Sequence, residues 1–140
     1  PKFLYNAKKK HAKKLIVHLG FDEELAHHIE AGCDMFIMPS KYEPCGLNQM
    51  YSLAYGTVPI VRDTGGLSDT IIDYKKPNGN GFIFEKYDPK ELLKTIKAAI
   101  KEFQDKNNWY KIMRNGMALD FSWKVSAKKY MSLYSKLAKK

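Results

Sequence analysis

The 140 residues are 44% hydrophobic and 13% aromatic, enough apolar material to fill the core of about one globular domain. Lysine and arginine outnumber aspartate and glutamate by 24 to 15, a net charge of +9, but the lysines gather at the two ends, Lys8 to Lys14 and Lys124 to Lys140. Solvated faces explain such clusters as well, and the middle of the chain has few basic and aromatic residues interleaved in the manner of single-strand binders, which argues against a nucleic-acid partner. No apolar run reaches about 18 residues, which excludes a conventional membrane-spanning helix. Lysines also occupy the place of a signal peptide's apolar segment, so the expectation is a cytoplasmic chain without a membrane partner. Cys33 and Cys45 have neither the number nor the spacing of a zinc site or a disulfide framework, and are read as reduced thiols.

Short apolar runs alternate with helical patterns along the chain, the signature of an α/β, Rossmann-like parallel sheet with flanking helices. Leu15-Ile16-Val17-His18-Leu19 reads as a first strand, broken at Gly20. A helix from Asp22 to Ala31 has an acidic cap and closes at Gly32; a second strand spans Asp34 to Met38 and ends at Pro39-Ser40. After a loop, a helix runs from about Gly46 to Tyr55 and stops at Gly56, followed by a third strand, Val58 to Val61. Pro59 cannot donate to a ladder, which weighs against that strand or places Pro59 at its start. Thr64-Gly65-Gly66 turns into a short helix around Leu67 to Ile71, Pro77 to Gly81 reads as an exposed loop, and Phe82 to Phe84 as a fourth strand. Asp88-Pro89-Lys90-Glu91 opens a helix with an N-cap, a proline at the first position and an acid at the third. Leu92, Ile96, Ala99, Ile100 and Phe103 form one stripe behind it. Two further helices are expected, near Asn108 to Leu119 and Trp123 to Leu137, the last with Val125, Tyr130, Leu133, Tyr134 and Leu137 on one side.

In an open α/β sheet the ligand binds beyond the carboxyl ends of the strands. Of the four loops placed there, Ser40 to Leu47 is the most unusual, with an acid, a proline and a glycine directly before a helix. A helix start offers unpaired N–H groups and a positive dipole end, suited to phosphate or sugar oxygens, and Gly46 lets a ligand approach that backbone. Glu43 is then an acceptor for sugar hydroxyls or a partner for developing positive charge; the plainer reading is an exposed acid that complements the dipole. Cys45 is more often a small buried side chain than a nucleophile, with no histidine beside it in sequence. His27 and His28 are adjacent and diverge around their helix, so no metal is expected. Neither GxGxxG nor GxxxxGK[ST] occurs, which argues against nicotinamide enzymes and P-loop nucleotidases.

The run AGCDMFIMPSKYEPCGLNQMYSLAYGTVPIVRDTGGLSDT, Ala31 to Thr70, closely resembles the bacterial, archaeal and plant glycogen and starch synthases. Its PS-x-x-EPCGL-x-Q, YGT-x-P-x-V and TGGL-x-DT segments follow one family's pattern, with weaker similarity over about residues 13 to 137. The resemblance implies a GT-B glycosyltransferase that transfers glucose, with retention, from ADP-glucose or UDP-glucose to the non-reducing end of an α-1,4-glucan. This chain would be a partial C-terminal, nucleotide-sugar-binding domain across residues 1–140, with the N-terminal domain and the start of this domain absent. On that reading the isolated chain has no glucan synthase activity of its own.

Carried onto these positions, the resemblance makes Glu43 the catalytic acid beside the glucose. It places the backbone around Cys45, Gly46 and Leu47 at the sugar hydroxyls, with Leu47 and Asn48 at the helix start near the diphosphate. Phe21 would pack on the base, Tyr51 would lie near the ribose, and Thr64, Gly65 and Gly66 complete the substrate-binding set, unless that turn is simply tight. A second glutamate eight residues after the first is common in related transferases; here that position is Tyr51, so ribose recognition by a carboxylate is left open. No cofactor and no metal are implied, the sugar nucleotide being a substrate. The alternatives are a noncatalytic glucan-binding or assembly module of the same fold, and a basic nucleic-acid binder.

Overall fold

Three parallel strands, β1 (Met35–Met38), β2 (Val58–Arg62) and β3 (Phe82–Phe84), lie side by side in the order β1-β2-β3. Met35 pairs with Val58 at one end of the first ladder, and Ile60 with Phe82 at the start of the second. The computed structural model describes residues 2–138; Lys139 and Lys140, the end of the C-terminal lysine run, lie outside the described residues. Helices connect and flank the strands: α1 (Lys2–Lys10), α2 (Glu23–Gly32), α3 (Asn48–Tyr55), α4 (Gly65–Thr70), α5 (Pro89–Phe103), α6 (Lys106–Met117) and α7 (Trp123–Leu137). The expected α/β class is the one observed.

Period-two alternation along β2 divides the core into two layers. Val58 and Ile60 point to one face, where Phe82, Ala99, Trp109 and Ile112 close over them from β3, α5 and α6. Val61 points to the other and meets Leu53, Leu67 and Ile71 from α3 and its successor. Pro59 sits inside this central strand rather than at its start. Its carbonyl faces the Gly81 side, one residue before the first β2–β3 pair, so its missing N–H falls where that ladder has not begun.

The helix boundaries follow local chemistry. Asp22 accepts from Leu25 N at 2.9 Å to open α2, Asp88 caps α5 through Lys90 N, and Asp105 caps α6 through Asn107 and Asn108. Gly56 ends α3 in the left-handed region at φ +81°, where its N–H returns to the last turn.

Four expectations change. Leu15 to Leu19 is not a strand: it pairs with no neighbour among the described residues and Ile16 is 89% exposed, since an apolar run becomes a strand only where a ladder partner exists. The Pro77 to Gly81 loop is exposed only at Pro77 and Asn78. Asn80 is buried, accepting from Ile72 N and donating to Thr70 O, and Asn115 on α6 donates to Gly79 O. Ile100 leaves the buried stripe of α5, because α6 covers only the side that carries Leu92, Ile96, Ala99 and Phe103. Finally, α7 buries none of its residues; Tyr130, Leu133, Tyr134 and Leu137 are exposed because no other described element packs on that side. No described helix is long and apolar enough to cross a membrane.

Trp109 is 1% exposed and contacts both Phe82 and the edge of Phe103, whereas Trp123 is 86% exposed. Trp109→Ala is expected to lower unfolding free energy by about 3–5 kcal/mol, and Trp123→Ala by less than about 0.5 kcal/mol, in urea titrations followed by circular dichroism.

Candidate functional site

At the carboxyl edge of the sheet, the loop after β1 and the turn after β2 lie main chain against main chain. Gly66 N donates to Glu43 O at 3.0 Å. A Cβ added at Gly66 would stand 2.0 Å from Cys45 O, and one at Gly65 would stand 2.0 Å from Glu43 O. Only residues without a side chain permit that approach, and Gly65 also holds φ +48°. Gln49, buried in the first turn of α3, reinforces the junction: its amide nitrogen donates to Cys45 O at 3.1 Å, Gly46 O at 3.0 Å and Thr70 Oγ1 at 3.3 Å. Arg62, at the end of β2, donates from Nη1 to Lys41 O and, more weakly, to Ser40 O at 3.5 Å.

These contacts hold Glu43 half-buried, with Ser40 Oγ donating to its Oε2 at 3.3 Å. Gly46 has a structural reason of its own for lacking a side chain, since it sits at φ +71° and a Cβ would come 2.4 Å from Gln49 Oε1. Cys45, expected to be buried, is exposed, because the loop presents its backbone rather than its side chains to the turn. No side chain caps α3: Leu47 occupies the N-cap position and cannot accept from the first N–H groups, unlike the aspartates that open α2, α5 and α6. Among the described residues no group of three potential metal ligands occurs.

A cleft of about 360 Å³ opens beside this junction, between α2 and α3. Phe21, His27, Glu30, Leu47, Asn48 and Tyr51 are among its lining residues. Phe21 is 96% exposed at its rim. The His27 ring lies 4.8 Å from that of Tyr51, and its Nδ1 is 3.2 Å from Tyr55 Oη. Glu30 is 3% exposed, and its Oε2 has no hydrogen-bond partner. Burial raises the Glu30 carboxyl above the ordinary 4.5, offset in part by the charge of His27 and the side chain of Asn48. A separate hollow of about 260 Å³, with Pro39, Phe84, Tyr87 and Leu92 in its wall, is mostly apolar.

The predicted residues therefore fall into two adjoining groups. Phe21, Leu47, Asn48 and Tyr51 share the cleft, while Glu43, Cys45, Gly46, Thr64, Gly65 and Gly66 build the junction beside it, the two meeting at the start of α3. Sequence reasoning missed Glu30, Gln49 and Arg62. For Gln49 the signal lay in the EPCGL-x-Q spacing. Glu30 looks in sequence like any charge on an amphipathic helix, and gave none.

A parallel α/β layer with a clamped acid and an uncapped helix start at its carboxyl edge forms a crevice suited to an anionic ligand, and the chain belongs to the family described as glycosyl transferases group 1, which matches residues 2–116. Within that family it is similar to glycogen synthases. That of Koribacter versatilis (strain Ellin345) is 54% identical over 130 residues, covering 91% of this chain and 27% of the relative. That of Fervidobacterium nodosum is 52% identical over 133 residues, 94% of this chain and 27% of the relative. The chain thus spans about a quarter of the length of these curated relatives. The catalytic domain of starch synthase IV from Arabidopsis thaliana, solved with ADP and acarbose, superposes with a TM-score of 0.85 at 34% identity, over 99% of this chain and 30% of that one. A sucrose-phosphate synthase from Thermosynechococcus elongatus, at 22% identity and a TM-score of 0.67, shares the fold. The expected GT-B-type fold and the resemblance to glycogen and starch synthases are both borne out.

Gly66→Ala should drive the turn off the loop and destabilise the chain by about 1–3 kcal/mol in urea titrations, while Gly32→Ala, which meets nothing within 4 Å, should change stability little. Glu30 generates a pH dependence. With a folded value raised above 4.5, its contribution to stability is fully present below 4.5 and is lost as pH rises through the raised value. Wild-type stability relative to Glu30→Gln should therefore fall as pH rises above 4.5, measured as the difference in unfolding free energy of the two proteins.

Proposed function

We propose that this chain supplies the donor-binding side of a glycogen or starch synthase. The reaction is transfer of glucose, with retention, from ADP-glucose or UDP-glucose to the non-reducing end of an α-1,4-glucan. The observation that carries this reading is the half-buried Glu43 fixed at the head of an uncapped helix, next to a cleft with an exposed aromatic rim. A diphosphate would lie against the free N–H groups at the start of α3, where the dipole end favours negative charge. Phe21 would stack on the base, and Tyr51 would lie by the nucleoside. Glu43 would accept from the glucose hydroxyls and face the positive charge that develops at the anomeric carbon, its carboxylate oriented by Ser40. Cys45, Gly46 and the Thr64 to Gly66 turn would line the sugar end.

In a front-face transfer, the bond from the anomeric carbon to the donor's diphosphate oxygen breaks as the acceptor hydroxyl oxygen attacks from the same side. The departing diphosphate takes the acceptor's proton. Positioning and charge stabilisation then carry the rate, without a covalent enzyme intermediate. The donor is a substrate, and the reading calls for no cofactor.

Calorimetric titration of the chain with ADP, UDP and their glucose conjugates should show saturable binding to at least one pair. Glycogen retention without any response to these nucleotides would instead favour a noncatalytic glucan-binding module. In an active synthase carrying this chain, Glu43→Ala should reduce glucose incorporation into glycogen by ~10²–10³-fold with an unchanged melting temperature. Near wild-type incorporation would remove Glu43 from the site.

A further inference from the structure

We infer that Gln49 is a positioning residue for glucose transfer, which with Thr70 closes a ring of hydrogen bonds that sets the backbone carrying Glu43. The inference rests on the transferase reading above and deepens it with two residues that reading does not use. Gln49 is fully buried in the first turn of α3, so it has no surface to offer a ligand and acts only through its neighbours. Its Nε2 lies 3.1 Å from Cys45 O, 3.0 Å from Gly46 O and 3.3 Å from Thr70 Oγ1. Two of these partners are carbonyl oxygens, which only accept, and this fixes which end of the amide faces the loop.

The ring closes through α4. Thr70 Oγ1 donates to Gly66 O at 2.8 Å, and Gly66 N donates to Glu43 O at 3.0 Å. Gln49 thus reaches the loop directly at Cys45 and Gly46, and again at Glu43 by way of Thr70 and Gly66. Thr70 holds both its bonds at once, its O–H given to Gly66 and a lone pair open to Gln49. Linked bonds in a buried setting support one another, so loss of one member loosens the others. Among the described residues the Glu43 carboxylate has one hydrogen bond, from Ser40 at 3.3 Å, and it therefore follows the backbone that the ring holds. A misplacement of about 1 Å at a group that meets the transition state costs up to ~10²-fold in rate.

The test measures glucose incorporation into glycogen by the full synthase carrying this chain, with Gln49→Met, which keeps the length of the side chain and removes the amide, made alone and with Glu43→Ala. Gln49→Met should lower kcat by about 10–100-fold and shift the donor KM by less than about threefold, since the ring acts on the placement of Glu43 and not on ground-state binding. In the Glu43→Ala background the same substitution should cost less than about threefold, because the group it positions is gone. Thr70→Val should lower kcat in the same direction, and Thr70→Ser, which restores the hydroxyl, should recover most of the rate. A part in stability alone would lower the melting temperature and leave the rate per folded molecule unchanged. That result, a rise in KM with kcat intact, or an equal loss with and without Glu43 would overturn the inference and leave the transferase reading standing. Glu43→Ala at the wild-type rate, or a wild type that incorporates no glucose, would sink both. Should Gln49→Met fail to fold, the Thr70 pair decides: Thr70→Val at the wild-type rate, or Thr70→Ser no better than Thr70→Val, counts against the ring.

Discussion

The candidate site depends on two stretches of main chain that touch with no side chain between them. Gly65 and Gly66 lie so close to Glu43 and Cys45 that a single methyl group at either glycine would overlap a carbonyl oxygen. The loop at Glu43 has no regular structure to hold it, and Gly65 and Gly66 are the first residues of the short α4, so the geometry comes from this contact and from the side chains that brace it. Gln49 binds the loop to the start of α3 and to α4, and Arg62 ties the loop's beginning to the end of the central strand. Glu43 is positioned by its backbone and by Ser40 more than by packing.

The same junction determines where α3 begins. Gly46 turns the chain at a positive φ with Gln49 folded back beneath it, and the helix then starts at Asn48 with nothing capping its first turn. An unsatisfied helix start is a cost in an unliganded protein and an asset where an anion arrives. The cleft beside it collects groups from two helices that meet through Thr57, whose hydroxyl donates to the carbonyls of Glu30 and Cys33 and so fixes the end of α2 against the start of β2. Burial of Glu30 follows from that docking.

Stability resides elsewhere. The layer formed by Trp109, Phe82, Ile60 and Ala99 lies on the face of the sheet opposite α3 and α4, so the loops at the carboxyl edge can vary in chemistry without disturbing the larger core. At the two ends of the described chain, α1 and α7 bury no residue and present apolar side chains outward.

Sequence alone determined the features that local chemistry controls. Short continuous apolar runs marked β1 to β3, aspartate caps and glycine stops marked most helix ends within one or two residues, and the EPCGL and TGGL segments drew attention to the carboxyl edge of the sheet. Only the tertiary structure decided what depends on a partner distant in the chain. Among the described residues Leu15 to Leu19 has the composition of a strand but no ladder neighbour, and α7 has an amphipathic pattern but no surface beneath it, since pattern records a capacity for burial and contact supplies the burial. Asn80 reads as a loop residue and is buried because Thr70 and Ile72 close around its amide. Glu30 is indistinguishable in sequence from the exposed glutamates at the start of its own helix. The docking of α3 against α2 takes its carboxyl out of water and turns an ordinary surface residue type into a buried acceptor.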